Sequence, residues 1–167
     1  PKKGSEPDII VKSDSALFFI EAKLAASNNA VFMSKNLKVQ KKYETGGNDW
    51  YSKVFTSDFK TVAIAEKKYE LLRFWLLGTW MAKRQDLDFY LINLVLSKRE
   101  ANIEAMFKRH INENQRSKFL RVTWETIYQY ISKRSLSRDK DIMIRYFRNK
   151  TIGYNGNGRL QRAFSIP

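Results

Sequence analysis

Apolar residues near the start of the chain are spaced as in two β-strands. Residues 7–12 and 16–24 are rich in Ile, Val and Phe, and Ser13, Asp14 and Ser15 between them are turn residues. The pattern therefore predicts a β-hairpin. Apolar side chains occupy both odd and even positions of the two segments, which predicts a sheet that is covered on both faces.

A helical pattern followed by a strand pattern occupies the middle of the chain. Residues 66–84 carry apolar side chains around most of a helix surface, which predicts a largely buried helix. The run DFYLINLVL over residues 88–96 predicts a central strand directly after that helix. The order strand, helix, strand predicts an α/β fold.

Weaker patterns predict the remaining elements. A short helix is expected to end at Gly46-Gly47, and residues 50–64 are compatible with either strand or helix. His110 falls on the apolar face of a helix, where a packed histidine is more common than a ligand. The Gly- and Asn-rich residues 153–158 predict a loop. The other predicted elements are helices over residues 37–44, 102–111, 124–131 and 139–149 and a strand over 119–122.

Composition restricts the class of protein. The chain has 167 residues, 43% of them hydrophobic, which favours a single folded domain over a disordered chain. Because there are 0 cysteines and 1 histidine, disulfides and zinc-thiolate or iron-sulfur centres are excluded, and a bound metal must be held mainly by oxygen. The sequence has neither a signal peptide nor an apolar run long enough to span a membrane, so a cytoplasmic location without membrane contact is expected.

The charge indicates a polyanionic partner. Lys and Arg number 31 against 17 Asp and Glu, a net charge of +14. Residues 1–97 carry 15 basic and 11 acidic residues, and residues 98–167 carry 16 and 6, so the net charges are +4 and +10. Nucleic acid is the most common polyanion available to a basic protein, although pairs such as Lys83-Arg84 also suit helix C-termini. Residues 98–167 are therefore predicted to make most of the contacts to nucleic acid.

Three charged residues meet at the end of the predicted hairpin. If Asp14 and Ser15 form its two-residue loop, paired positions sum to 29 and Asp8 lies opposite Glu21. Lys23 shares the face of Glu21 because strand side chains alternate. Opposed carboxylates repel unless a cation lies between them, and Mg²⁺ or Mn²⁺ prefers carboxylate and carbonyl oxygens, including that of Ala22. The alternative is that these are ordinary charged residues at the solvent-exposed edge of the sheet that pair with their neighbours, with Glu6 facing Lys23.

Pro7-Asp8 followed by Glu21-Ala22-Lys23 resembles the PD-(D/E)xK nuclease superfamily, whose fold is the restriction-endonuclease-like fold. The resemblance implies a central mixed β-sheet flanked by helices, with a core over about residues 6–96 and a basic helical extension over about 98–167. It implies that Asp8, Glu21 and the Ala22 carbonyl bind Mg²⁺, with Mn²⁺ as a substitute, and that Lys23 assists the attacking water. The family core has a helix and a strand before this motif, so these elements are expected to be missing here.

The resemblance also implies a substrate and contacts to it. The expected activity is a Mg²⁺-dependent endonuclease acting on DNA, in restriction or defence, and the analogy with enzymes that cut both strands allows a homodimer. The alternative is a nucleic-acid-binding module of the same fold without catalysis. The resemblance adds Lys38 and Gln40, on the helix after the motif, as candidates for positioning the substrate. Independently of the resemblance, basic residues close to aromatic residues or after the glycines are candidate nucleic-acid-binding residues: Arg116, Lys118, Arg145, Arg148, Arg159 and Arg162.

Overall fold

The computed structural model describes residues 6–32, 37–134, 139–164 and 166. At its centre is a mixed four-stranded sheet in the order β1-β2-β3-β4. β1 and β2 are antiparallel, whereas β2, β3 and β4 are parallel to one another. The α/β class and the N-terminal hairpin are therefore confirmed. The strands are β1 (Ile9–Lys12), β2 (Ala16–Ala22), β3 (Asp88–Val95) and β4 (Ser117–Thr123).

Helices connect and flank these strands. The described residues contain α1 (Leu37–Val54), a π-helical turn (Thr61–Ala65), α2 (Tyr69–Gln85), α3 (Ile103–Lys108), α4 (Trp124–Arg134) and α5 (Asp139–Asn149). After α5, a separate two-stranded hairpin is formed by β5 (Thr151–Tyr154) and β6 (Leu160–Arg162). None of the described helices is both long and apolar enough to cross a membrane.

The main core lies between α2 and one face of the sheet. Leu17 and Phe19 of β2 and Phe89 of β3 are buried there together with Trp75 of α2. The close approach of helix and strand depends on Gly78, because a Cβ at this position would lie 2.1 Å from the Phe89 ring. A side chain at residue 78 would therefore push α2 away from β3.

The opposite face of the sheet is less covered than the sequence predicts. Phe18 and Tyr90 stack at 5.0 Å between ring centroids on this face and are half-buried. Ile20 of β2 and Ile92 of β3 lie on the same face as this pair and are also half-buried. The prediction of a sheet covered on both faces is therefore wrong for the described residues. Apolar residues at both odd and even strand positions do not require that both faces be buried, because apolar side chains here also lie on the more open face.

Several predicted bounds differ from the structure. The long helix begins at Tyr69 rather than residue 66, because the π-helical turn Thr61–Ala65 and a left-handed Lys67 (φ 57°) precede it. The helix predicted to end at Gly46-Gly47 does end there, because Gly46–Asp49 have non-helical backbone angles. A second helical segment of α1, which the sequence left open between strand and helix, then continues to Val54. The predicted C-terminal loop is the tip of the β5-β6 hairpin. His110 is packed as expected, 6% exposed, with Nδ1 2.9 Å from Ser57 Oγ.

Candidate active site

The hairpin brings the two predicted carboxylates together. Ile9 pairs with Ile20, so paired positions sum to 29 as predicted, and Asp8 lies level with Glu21 at the open end of the hairpin. The Ala22 backbone N–H donates to Asp8 Oδ2 at 2.8 Å. Asp8 is exposed, whereas Glu21 is 3% exposed. This hydrogen bond holds the Asp8 carboxylate against the end of β2.

Glu21 forms an ion pair with Lys23, and a third charged residue joins them. The Lys23 ammonium contacts Glu21 Oε1 directly and lies 3.4 Å from Glu70 Oε2. Glu70 is in the first turn of α2, so the helix that packs on β2 also delivers an acid to the site. The side chains of Lys23 and Glu21 are 18% and 4% exposed, so the pair is largely removed from solvent.

Burial and charge shift the two pKa values. Burial raises the pKa of Glu21, and the hydrogen bond and positive charge of Lys23 offset this only in part. Burial also lowers the pKa of Lys23, but the hydrogen bond and charge of Glu21, with the charge of Glu70, outweigh it and raise that pKa. Lys23 is therefore held as an ammonium ion at neutral pH.

One oxygen of Glu21 is available for a ligand. Glu21 Oε2 is buried and has no hydrogen-bond partner among the described residues. A buried oxygen without a partner is costly, and a cation next to it removes that cost. No group of three or more His, Cys, Asp or Glu is arranged to hold a metal in the described part of the chain. Two carboxylates nevertheless suit Mg²⁺, which keeps several waters and takes one or two protein carboxylates.

A buried polar network lies beside Glu21 at the carboxyl end of the parallel strands. Asn93 of β3 is the register partner of Glu21 and is 0% exposed. Asn28 Nδ2 donates to Asn93 Oδ1 at 2.7 Å and to Glu100 Oε2 at 2.8 Å, and Asn93 Nδ2 donates to the same Glu100 oxygen at 3.0 Å. In α/β sheets this edge is where ligand crevices form.

Lys68 ties that network to α2. Its ammonium donates to the Asn28 carbonyl at 3.1 Å and to Asn29 Oδ1 at 2.7 Å, and the residue is 6% exposed. Burial lowers the pKa of Lys68, and the negative charge of Glu100 opposes this. Because Lys68 lies two residues before Glu70, these bonds fix the start of α2 and with it the acid that faces Lys23.

Two predicted nucleic-acid contacts have protein partners. Arg116 Nη1 lies 2.6 Å from Asp86 Oδ1, and its Nε lies 2.9 Å from Asp88 Oδ1. Gln40 Nε2 donates to Glu44 Oε1 at 3.4 Å. A phosphate at either residue must compete with these acids. Lys118 is half-buried on β4, and the side chain of Lys38 lies outside the described residues.

The C-terminal candidates lie on exposed elements. Arg145 and Arg148 are exposed on α5, and Arg162 is exposed on β6. Arg159 closes the hairpin tip, where its backbone N–H donates to Asn155 Oδ1 at 2.9 Å, and its side chain is exposed. These four residues lie in the half of the chain with the larger positive charge.

Sequence reasoning missed Glu70 and the Asn93 network. A Glu at the start of a helix is ordinary, so Glu70 gives no signal until α2 is placed beside β2. Asn93 does give a signal, because it is the one polar residue inside the run FYLINLVL. A polar residue within a buried strand needs a hydrogen-bond partner, and here Asn28 and Glu100 supply it.

Comparison of the chain with protein-family models, with curated proteins and with solved structures gives no match.

Proposed function

We propose that the chain is a Mg²⁺-dependent endonuclease of the PD-(D/E)xK type that hydrolyses DNA phosphodiester bonds, with a restriction-endonuclease-like core. One observation carries the proposal. Asp8, Glu21 and Lys23 meet at the carboxyl end of β2, where Glu21 Oε2 is buried without a hydrogen-bond partner among the described residues.

Each residue has a distinct role in the proposal. Asp8 and Glu21 hold the ion, with the Ala22 carbonyl as a further oxygen. A divalent ion bound there supplies Lewis-acid activation of water and neutralises charge on the phosphate. The raised pKa of Lys23 keeps its ammonium protonated, so Lys23 donates a hydrogen bond to a phosphate oxygen or to the attacking water. Glu70, whose Oε2 lies 3.4 Å from the Lys23 ammonium, would help to keep that ammonium in place beside Glu21 if an ion were held at Glu21 Oε2.

In this proposal, exposed basic residues bind the DNA backbone. Arg145, Arg148, Arg159 and Arg162 are exposed on α5 and the β5-β6 hairpin, where phosphate contacts give affinity without base specificity. Arg116 contributes less in this proposal because Asp86 and Asp88 already accept hydrogen bonds from it.

Divalent-ion binding tests the site itself. Titration calorimetry with MnCl₂ is expected to show binding to the wild-type chain and loss of binding in Asp8→Asn and Glu21→Gln. Asp14→Asn is the matched control, because this carboxylate is exposed at the other end of the same hairpin. Equal Mn²⁺ binding by Glu21→Gln and the wild type would contradict the proposed site.

Cleavage separates the enzyme from a binding module of the same fold. Supercoiled and linear DNA are incubated with the protein in Mg²⁺, Mn²⁺ or EDTA. Nicking that requires the ion and is lost in Glu21→Gln supports the enzyme. Tight DNA binding without cleavage in either ion would replace the enzyme with the non-catalytic module.

A further inference from the structure

A cavity lined by aromatic rings lies between α1 and α2. Its volume is about 350 Å³, which is within the range of small-molecule pockets. The rings of Tyr43, Trp50 and Trp80 line it, and the α1 break at Gly47 closes one side. Trp50 Nε1 donates to Thr79 Oγ1 at 3.0 Å, which fixes the Trp50 indole before any ligand arrives.

The charges around this cavity are positive. Lys42 and Arg73 line it, and no acidic side chain does so among the described residues. Lys53 Nζ lies 5.7 Å from the Trp50 ring centroid, and Arg84 Cζ lies 4.8 Å from that of Trp80. Aromatic faces bordered by cations match a ligand that combines a planar ring with a negative charge. A nucleotide has both properties.

The cavity also lies close to the candidate active site. Arg73 follows Glu70 by three residues on α2, a spacing that puts their Cβ atoms about 5–6 Å apart. Glu70 Oε2 is 3.4 Å from the Lys23 ammonium. The cationic side of the cavity is therefore about one helical turn from the residues proposed to hydrolyse the phosphodiester.

We propose that this cavity binds one unpaired nucleotide of a nucleic acid, with the base against Trp50 and Trp80 and a phosphate at Lys42 and Arg73. The proposal rests on the proposed function for the identity of the ligand as nucleic acid. It narrows the substrate class to nucleic acids with a single-stranded segment next to the cleaved bond, such as an overhang or a branch.

Binding measured in EDTA tests the cavity without any cleavage. The probe is a 5′-labelled single strand of about eight thymidines, a length typical of single-strand sites, and a blunt hairpin duplex serves as the comparison. Fluorescence anisotropy is measured for the full chain and for Trp80→Leu, Trp80→Phe and Arg73→Ala. Tyr130→Leu is the control because it removes an aromatic side chain that is 63% exposed on α4, outside the cavity.

The expected result is a selective loss of single-strand affinity. Stacking of one base on an aromatic side chain is worth about 1–3 kcal/mol, so Trp80→Leu is expected to weaken single-strand binding roughly 5- to 150-fold. Trp80→Phe keeps a ring and retains most of the affinity. Arg73→Ala weakens binding without removing a ring, and circular dichroism confirms that each variant is folded. Tyr130→Leu binds as the wild type does.

Three outcomes would overturn the proposal. The first is wild-type affinity in both folded Trp80→Leu and Arg73→Ala, and the second is an equal loss of affinity in Tyr130→Leu. The third is that thymidine monophosphate does not displace the labelled strand, while laurate quenches the tryptophan fluorescence of the wild type but not that of Trp80→Leu. The last result would assign the cavity to an acyl chain. Failure of nuclease activity is a separate result, because single-strand binding that depends on Trp80 in EDTA supports the cavity even if no DNA is cut.

Discussion

Replacing Lys23 by Met removes the cation that offsets the buried charge of Glu21. Breaking a buried ion pair from one side costs about 3–5 kcal/mol. The Lys23 side chain is 18% exposed, so solvent screens part of the interaction and the expected loss at pH 7 is about 2 kcal/mol. That is a large share of the typical stability of a domain. Urea unfolding followed by tryptophan fluorescence measures the loss.

The pH dependence and a double variant identify the cause of that loss. Without Lys23, the pKa of Glu21 in the folded chain rises further above its unfolded value of about 4.5, so the folded state holds a proton that the unfolded state releases. Stability of Lys23→Met then falls as pH rises above that value, and its deficit against wild type shrinks at pH 5. The double variant Glu21→Gln/Lys23→Met is expected within about 1 kcal/mol of wild type. A stability deficit of Lys23→Met that is the same at pH 5 and pH 7, or that persists in the double variant, would show that the buried charge of Glu21 is not its cause.

Three further substitutions test the packing of α2 on β3, the buried Lys68 at the start of α2 and the proposed contact of Arg148 with DNA. Gly78→Ala places a methyl group 2.1 Å from the Phe89 ring and is expected to cost about 3 kcal/mol; an unchanged thermal midpoint would contradict the packing. Burial lowers the pKa of Lys68 in the folded chain below its unfolded value of 10.5. Between these two pKa values the unfolded chain binds more protons than the folded chain, so the free energy of unfolding rises with pH. Lys68→Met is expected to remove this rise, which urea unfolding at several pH values from 8 to 10.5 measures. If stability depends on pH in the variant as it does in the wild type, Lys68 is not the source of the rise. Arg148→Glu is expected to weaken DNA binding and to reduce the slope of log affinity against log salt by about 1, measured by anisotropy; an unchanged slope removes Arg148 from the interface.

The register of the N-terminal hairpin could be predicted from the sequence for a physical reason. A short loop fixes which residues pair, and the two-residue period of a strand then fixes which side chains share a face. The position of Asp8 opposite Glu21 follows from these two constraints alone. The central strand was equally clear, because residues 88–96 form a continuous apolar run between charged residues.

Other features depend on tertiary contacts that leave little trace in the sequence. Nothing in Glu70 itself indicates that it faces Lys23, since this contact requires α2 to pack on β2. The start of α2 was misplaced because Glu66 suits the N-terminus of a helix, whereas Glu66 directly follows the π-helical turn and Lys67 has a left-handed backbone. Residues 153–158 were predicted to be a loop because they contain three glycines. Two of these, Gly153 in β5 and Gly158 at the tip, instead provide the positive φ values of the β5-β6 hairpin.

Whether Glu21 serves phosphodiester hydrolysis is decided by the rate at which Glu21→Gln nicks supercoiled DNA in Mg²⁺, compared with the rate of Asp14→Asn. Both substitutions neutralise one carboxylate of the same hairpin, but Glu21 is buried beside Lys23 and Asp14 is exposed in the turn. The account predicts that Asp14→Asn cuts at the wild-type rate and that Glu21→Gln, folded by circular dichroism, loses at least about 100-fold. Equal nicking by the two variants would show that Glu21 does not serve phosphodiester hydrolysis.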